Sequence, residues 1–391
     1  MSGSHIANIP FFSYGFRTFF FSGAAWALVA MLVWILWITG AGGFSIPYAG
    51  VAWHAHEMII GYGTAVLAGF LLTAIPNWTG RPPIQGYTLA WLWLAWVLGR
   101  VALLLADRIG YLGAALLDNL FLLSLVPLIT REIVAGNNLR NLRVVVIVAL
   151  VMLANIGFHV EFLTTGYPDY SLRAALALFV VLISVIGGRI IPAFTRNWLV
   201  QQGQSQRLPV PFNGFDAATL IVSVISLALW TVLPVSSLPG MALLVAGILQ
   251  LGRLARWAGI RTTAEPLVLI LHVGYLFVGL GFVLVGMSSF GLIFQQAALH
   301  AWSTGAIGIM TLAVMTRASR GHAGFPLTAP VGTRVIYLLA VLAVLLRLSL
   351  LLRPGSEVLQ AGAAIAWCAA FILFIACYGS MLLRSRGRAV E

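Results

Sequence analysis

Long apolar runs follow one another along the chain, separated by short turns rich in glycine, proline and asparagine. A membrane-spanning helix needs about 20 consecutive, mainly apolar residues, and each run is about that long. The runs do not alternate between polar and apolar positions, which argues against the strands of a membrane barrel. We therefore predict twelve helices, over 17–39, 54–75, 88–106, 110–130, 143–163, 172–192, 215–234, 238–257, 266–287, 297–316, 331–352 and 358–383.

One polar stretch interrupts this pattern, at 193–214, and it contains Gln201, Gln202, Gln204 and Gln206. We expect it to divide a single integral membrane domain, residues 1–391, into two six-helix halves at about 17–192 and 215–383. The halves show no convincing sequence repeat, so the sequence does not predict an inverted-repeat fold.

The composition indicates that nearly all of the chain lies in the membrane, because 61% of its residues are hydrophobic and only 8% are charged. A soluble domain carries about a quarter charged residues, so a soluble enzyme with a membrane anchor is excluded. The net charge of +12 would suit a nucleic-acid-binding protein. The arginines lie between apolar runs and form no stripe, so we expect the lipid bilayer, and no nucleic acid, as a partner.

The 22 basic residues are all arginines, and their placement predicts the orientation of the helices. Seventeen lie at the two termini and in the even-numbered loops, against five on the opposite side. Cytoplasmic loops carry the excess of arginine and lysine in membrane proteins. We therefore predict an all-α, multi-pass membrane protein with both termini in the cytoplasm.

Five of the seven histidines fall inside predicted spans, where ionisable residues are rare and usually functional. With the predicted orientation, His54, His56, His159 and His300 lie in one layer near the outer surface, and His272 lies in the inner third. Imidazole suits copper, zinc and haem iron. We therefore predict these five histidines as ligands of a metal or of a haem.

The spacing of His54 and His56 restricts how they act. Two residues on a helix are about 200° apart, so the two rings point to opposite faces and serve two different centres. If the segment is unwound, both reach one metal instead. Gly61 and Gly63 lie seven residues further on, almost two turns, which predicts either a flat groove for a macrocycle or close helix packing.

Other polar residues in the spans extend this candidate site. His272 is followed by Gly279 at the same seven-residue spacing, so it either binds a second haem or lies on a proton path. Glu57 and Glu161 stand beside candidate ligands, and we predict that they relay protons or hydrogen-bond to a ligand histidine. Arg100 is predicted to pair with haem propionates, the alternative being that it reaches the membrane surface.

Four blocks of the chain, in this order, resemble the NnrS family: Pro10–Arg17, Trp53–Arg81, Gly188–Thr195 and His300–Gly324. The resemblance covers nearly the whole chain. It implies a twelve-helix protein of the bacterial inner membrane that contains haem and copper and is associated with nitric oxide metabolism and nitrosative stress. We expect the haem to be of the b type.

This resemblance predicts reductive detoxification, in which two nitric oxide molecules give nitrous oxide at a buried site near the periplasmic face. Glu57 or Glu161 would deliver protons, and a quinol or a cytochrome would donate electrons. Two alternatives remain open from the sequence. One is a non-catalytic protein that binds nitric oxide or copper, and the other is a twelve-helix secondary transporter with a site near the bilayer midplane.

Overall fold

A computed structural model describes residue 6 and residues 9–384 of the chain. These described residues contain twelve helices that are long and apolar enough to cross a membrane, and no strand. The prediction of an all-α, multi-pass membrane protein is thereby confirmed, while the orientation of its termini stays a prediction. The helices are α1 Gly15–Ile38, α2 Val51–Thr79, α3 Tyr87–Leu104, α4 Tyr111–Ala135, α5 Leu139–Thr165, α6 Asp169–Gln201, α7 Gly214–Val232, α8 Ser237–Ala255, α9 Pro266–Ser289, α10 Gln295–His322, α11 Val331–Leu351 and α12 Glu357–Leu383.

Helix α6 ends later than the sequence predicts. It continues through Pro192 to Gln201, so the polar loop begins after Gln201 and not at 193. Proline is tolerated in membrane helices because neighbouring groups satisfy the backbone that it frees. Thr195 and Leu199 are fully buried, which shows that this extension packs against protein.

The chain forms two compact units. Unit 1 comprises 1–175, 318–325 and 371–391, and unit 2 comprises 176–317 and 326–370. The boundaries between the units fall inside α6, α10 and α12 and in the connection between α10 and α11.

Helices α2 and α10 each contain a π-helical segment, which is a rare and wider form of helix found frequently at functional sites. The segment Glu57–Tyr62 begins directly after His56, and the segment Ala301–Gly308 begins directly after His300. A π turn takes more residues than an α turn. A residue seven positions after a histidine therefore no longer lies directly below it.

Unit 2 contains a buried charge network centred on Arg253, which is 1% exposed. Its Nε lies 2.9 Å from Asp216 Oδ1, and its Nη1 donates to the Ser184 carbonyl at 2.9 Å and to the Tyr275 hydroxyl at 2.8 Å. Gly188 on α6 lies against the guanidinium, so that a side chain there would overlap it. The glycine thus makes room for a paired arginine in the protein interior.

Replacing Gly188 with alanine is expected to lower the free energy of unfolding by about 1–3 kcal/mol, because the new methyl group displaces Arg253 from its partners. The matched control is Gly252→Ala on α8, where the added carbon meets Phe215 at an ordinary 3.4 Å. Thermal unfolding of the purified variants measures both. Equal melting temperatures for the two variants would contradict the assigned role of Gly188.

Candidate functional site

Four helices of unit 1 bring a cluster of polar side chains together in the protein interior. Consecutive turns of α5 place Asn155 and His159 on one face, because residues four apart are neighbours on a helix. Each member of this histidine–carboxylate cluster is at most 4% exposed. Its members are His56 and Glu57 on α2, Arg100 on α3, Asp118 on α4, and Asn155 and His159 on α5.

Arg100 lies between the two carboxylates of the cluster. Its Nη1 donates to Glu57 Oε1 at 2.6 Å and to Oε2 at 2.8 Å, and its Nη2 donates to Asp118 Oδ1. The indole N–H of Trp26 also donates to Glu57, at 2.6 Å. A side chain at Gly61 would stand 2.5 Å from Arg100 Nη1 and 2.6 Å from Glu57 Oε2. The glycine therefore leaves space for this ion pair.

The two histidines of the cluster converge on Asp118. His56 Nε2 lies 3.3 Å and His159 Nε2 lies 3.0 Å from Asp118 Oδ2. His56 also contacts Asn155 Oδ1 with Nε2, at 2.8 Å, and Glu57 Oε1 with Nδ1, at 2.9 Å. The amide nitrogen of Asn155 donates to Asp118 at 2.8 Å, which fixes the orientation of the amide. Both ring nitrogens of His56 consequently face oxygen acceptors, as suits a doubly protonated imidazole.

The cluster has one more negative than positive charge when its imidazoles are neutral. Two carboxylates, Glu57 and Asp118, face one guanidinium, Arg100, so the cluster carries one net negative charge when both imidazoles are neutral. A net charge in the membrane interior is costly and is usually neutralised by a partner. Either a second proton on His56 or a bound metal cation supplies the missing positive charge.

The donor atoms fit a small metal ion. His56, Asp118 and His159 each offer one ligand atom, and these atoms lie within 4.8 Å of one another. Two imidazole nitrogens and one carboxylate form a donor set that copper and zinc accept. Arg100 and Asn155 hold the carboxylate between the two rings. A first-row metal such as copper therefore fits the residues that are present.

Tyr48 lies in the segment before α2 and contacts the cluster from outside the spans. Its hydroxyl lies 3.1 Å from His159 Nδ1. Burial, and next the negative charge of Asp118, raise the pKa of the Tyr48 hydroxyl above its ordinary value. The hydroxyl thus stays protonated and donates to Nδ1, and it accepts instead when that nitrogen carries a proton.

Tyr48 and Ala49 have φ of 61° and 57°, a strained conformation for residues with a side chain.

Replacing Tyr48 with phenylalanine is expected to lower the stability of unit 1 by about 1–3 kcal/mol at pH 8, because His159 Nδ1 loses its partner. A raised pKa means that the stabilisation by Tyr48 is present below about pH 10 and is lost as the pH rises further. The melting temperature of the wild type should therefore fall more steeply above pH 10 than that of the variant. Tyr170→Phe, at a ring that is 55% exposed, is the control and should behave as the wild type.

Two predicted ligands lie apart from this cluster. The ring of His54 stacks on Trp34, with centroids 4.5 Å apart and planes at 19°. His54 and His56 thus point to different sides of α2, as their spacing predicts. His300, in unit 2, has its Nδ1 2.6 Å from the Gln296 carbonyl.

The two remaining predicted residues contact other groups. His272 Nε2 lies 2.8 Å from the Thr195 hydroxyl in unit 2. Glu161 accepts from the backbone N–H groups of Tyr170 at 2.8 Å and of Ser171 at 2.9 Å. Glu161 therefore holds the first turn of α6, and Glu57 is the predicted proton carrier that belongs to the cluster.

Two of the grooves that the glycine spacing predicts for a haem are filled by protein. Arg100 and Glu57 occupy the space beside Gly61, and Leu251 occupies the space beside Gly279, where an added carbon would meet its Cδ2 at 2.7 Å. These two grooves do not fit a macrocycle.

Sequence reasoning did not place Asp118, Asn155 and Tyr48 at this site. Asp118 gave the same signal as the histidines, an ionisable residue within a predicted span. Asn155 stands four residues before His159, and so on its face of α5. Tyr48 lies between two spans and carried no comparable signal.

The fold and the cluster define a multi-pass membrane protein with a buried group of two histidines and an aspartate whose ligand atoms lie within 4.8 Å of one another. A family model described as NnrS protein matches residues 10–386, nearly the whole chain. The chain therefore belongs to the NnrS family, as the sequence blocks predicted. Membership connects it with the response to nitric oxide and suggests that it binds a metal or haem. No curated protein matches the chain.

Proposed function

We propose that this protein is a copper-dependent nitric oxide reductase of the bacterial inner membrane. The observation that carries the proposal is the convergence of His56 Nε2, His159 Nε2 and a carboxylate oxygen of Asp118 in the interior of unit 1. Their donor set and the net negative charge of the cluster both favour a bound cation. Nitric oxide is small and apolar, so it reaches a buried centre through the bilayer.

The proposed reaction joins two nitric oxide molecules, with two protons and two electrons, to give nitrous oxide and water. A copper ion held by His56, Asp118 and His159 would supply a binding site for nitric oxide and one-electron redox chemistry. The electrons come from a separate donor, for which we propose a quinol or a cytochrome. The protons need a carrier within the protein.

Glu57 is the proposed carrier of these protons. Its Oε1 lies 2.9 Å from His56 Nδ1, so a proton passes between them within one hydrogen bond. Arg100 orients the Glu57 carboxylate and balances its charge. Trp26 holds the second oxygen of Glu57 from the other side. The carboxylate is therefore fixed beside one of the proposed copper ligands.

Metal analysis and gas measurement of the purified full-length protein test this function. We expect bound copper, and nitrous oxide in large excess over protein when nitric oxide and a reductant are supplied. Stoichiometric uptake of nitric oxide without nitrous oxide would show a binding protein instead. Protein that contains neither copper nor another transition metal after expression with metal supplied would contradict the proposal. A pyridine haemochrome spectrum of the same sample determines whether haem is present.

A further inference from the structure

A cavity of about 90 Å³ lies in unit 2, where α11 ends and α12 begins. The first turn of α10, the last turns of α11 and the connection to α12 form its walls. The cavity belongs to one unit, and it does not include any residue of the histidine–carboxylate cluster. It is lined by Phe294, Gln296, Ala297, Arg347, Leu350, Pro354, Gly355 and Gln360.

Arg347 is the charged residue among those that line this cavity. Its Nε is buried and has no hydrogen-bond partner. Within residues 9–384, no carboxylate forms an ion pair with Arg347, whereas Arg100 and Arg253 both contact carboxylates. The buried Nε is thus an unsatisfied donor on a guanidinium that has no counter-charge among these residues.

The other lining groups favour an anion over a cation. None of the lining residues is acidic, and the side-chain amides of Gln296 and Gln360 offer further N–H donors. The remaining walls are largely apolar, with Phe294, Leu350 and Pro354 among them. The lining thus combines one positive charge with neutral donors.

The size of the cavity limits what it holds. A volume of about 90 Å³ accepts a few water molecules or a small inorganic ion. It is well below the volume of about 300–1,000 Å³ that organic ligands occupy. The guanidinium fork of arginine matches the two oxygens of an oxyanion better than a spherical ion.

We propose that this cavity binds a small, singly charged oxyanion, held by the guanidinium of Arg347 and the amides of Gln296 and Gln360. The simpler alternative is an arginine that extends its head group to the membrane surface. Arg347 is partly exposed, but its Nε is buried without a partner, so its guanidinium is not fully hydrated as that of a surface arginine would be. The proposal is independent of the metal centre in unit 1.

Two kinds of compound supply a singly charged oxyanion: a free inorganic salt and an anionic lipid with its phosphate group. The full-length protein in neutral detergent and chloride-free buffer is titrated with sodium nitrate or sodium nitrite, and its melting temperature is recorded. In a second series, phosphatidylglycerol is compared with phosphatidylcholine in the mixed micelles. A saturable rise in melting temperature with nitrate or nitrite identifies a free anion as the ligand. A rise in melting temperature with phosphatidylglycerol alone identifies a lipid phosphate. Both results support the proposed oxyanion chemistry.

Variants show whether the rise in melting temperature is caused by binding in this cavity. Arg347→Gln is expected to weaken the apparent affinity at least about tenfold, because it removes the positive charge and the hydrogen bonds that this charge strengthens. Arg353→Gln, at an exposed arginine nearby that does not line the cavity, is the control and should respond as the wild type. If Arg347→Gln does not fold, Gln360→Leu replaces it, with weaker binding expected. The absence of any saturable rise in the wild type, or an equal rise in the cavity variant, would overturn the proposal.

Discussion

Replacing Arg100 with glutamine is expected to lower the free energy of unfolding by about 3–5 kcal/mol, the usual loss when one partner of a buried ion pair is removed. The variant leaves Glu57 and Asp118 in the protein interior with no guanidinium between them. Thermal unfolding in detergent measures the loss. The matched control is Arg108→Gln, at an exposed arginine just beyond the end of the same helix, which should change stability by no more than about 0.5 kcal/mol.

A second substitution tests the reason for this loss. If the excess negative charge destabilises the Arg100→Gln variant, then adding Glu57→Gln should recover part of the stability. The two effects are then non-additive, as expected for residues in direct contact. Additive losses in the double variant would show that Arg100 contributes through packing and not through its charge.

Replacing His159 or His56 with alanine is expected to remove the bound copper almost completely, because either change leaves only two of the three converging donors. The metal content per protein molecule, measured by mass spectrometry, checks this prediction directly. Melting temperatures of the same samples separate loss of metal from loss of fold.

His54→Ala is the control for this pair, since the ring of His54 stacks on Trp34 and is not among the three converging donors. It should retain copper at the wild-type ratio. Loss of copper from His54→Ala, together with full retention in His56→Ala, would place the centre on the other side of α2. The proposed function would then need a different ligand set.

The twelve helices could be predicted because the length of an apolar run is a local property of the sequence. The same holds for His54 and His56, whose two-residue spacing alone separates them around α2. The end of α6 could not be predicted in this way. The residues after Pro192 pack in the protein interior, and the packing of a polar residue such as Thr195 does not appear in composition.

The candidate site could be predicted only in part. The rarity of ionisable residues in spans indicated His56, His159, Glu57 and Arg100 as members of a functional site. Which helices are neighbours depends on contacts between distant parts of the chain. The sequence therefore did not show that Asp118 joins the two histidines to Arg100. It also did not decide between a haem groove and close packing beside Gly61, because the side chains that fill this space come from other parts of the chain.

The π-helical segment after His56 sets the rotational phase between the two ends of α2. Each residue of an α-helix turns the chain by about 100°, so one residue more or less in Glu57–Tyr62 would rotate everything before it by that amount. His56 would then leave the side of α2 that faces Asp118, although every apolar residue of the span would still be present. The irregular turn thus makes the site sensitive to a single-residue insertion or deletion that the membrane-spanning fold itself would tolerate.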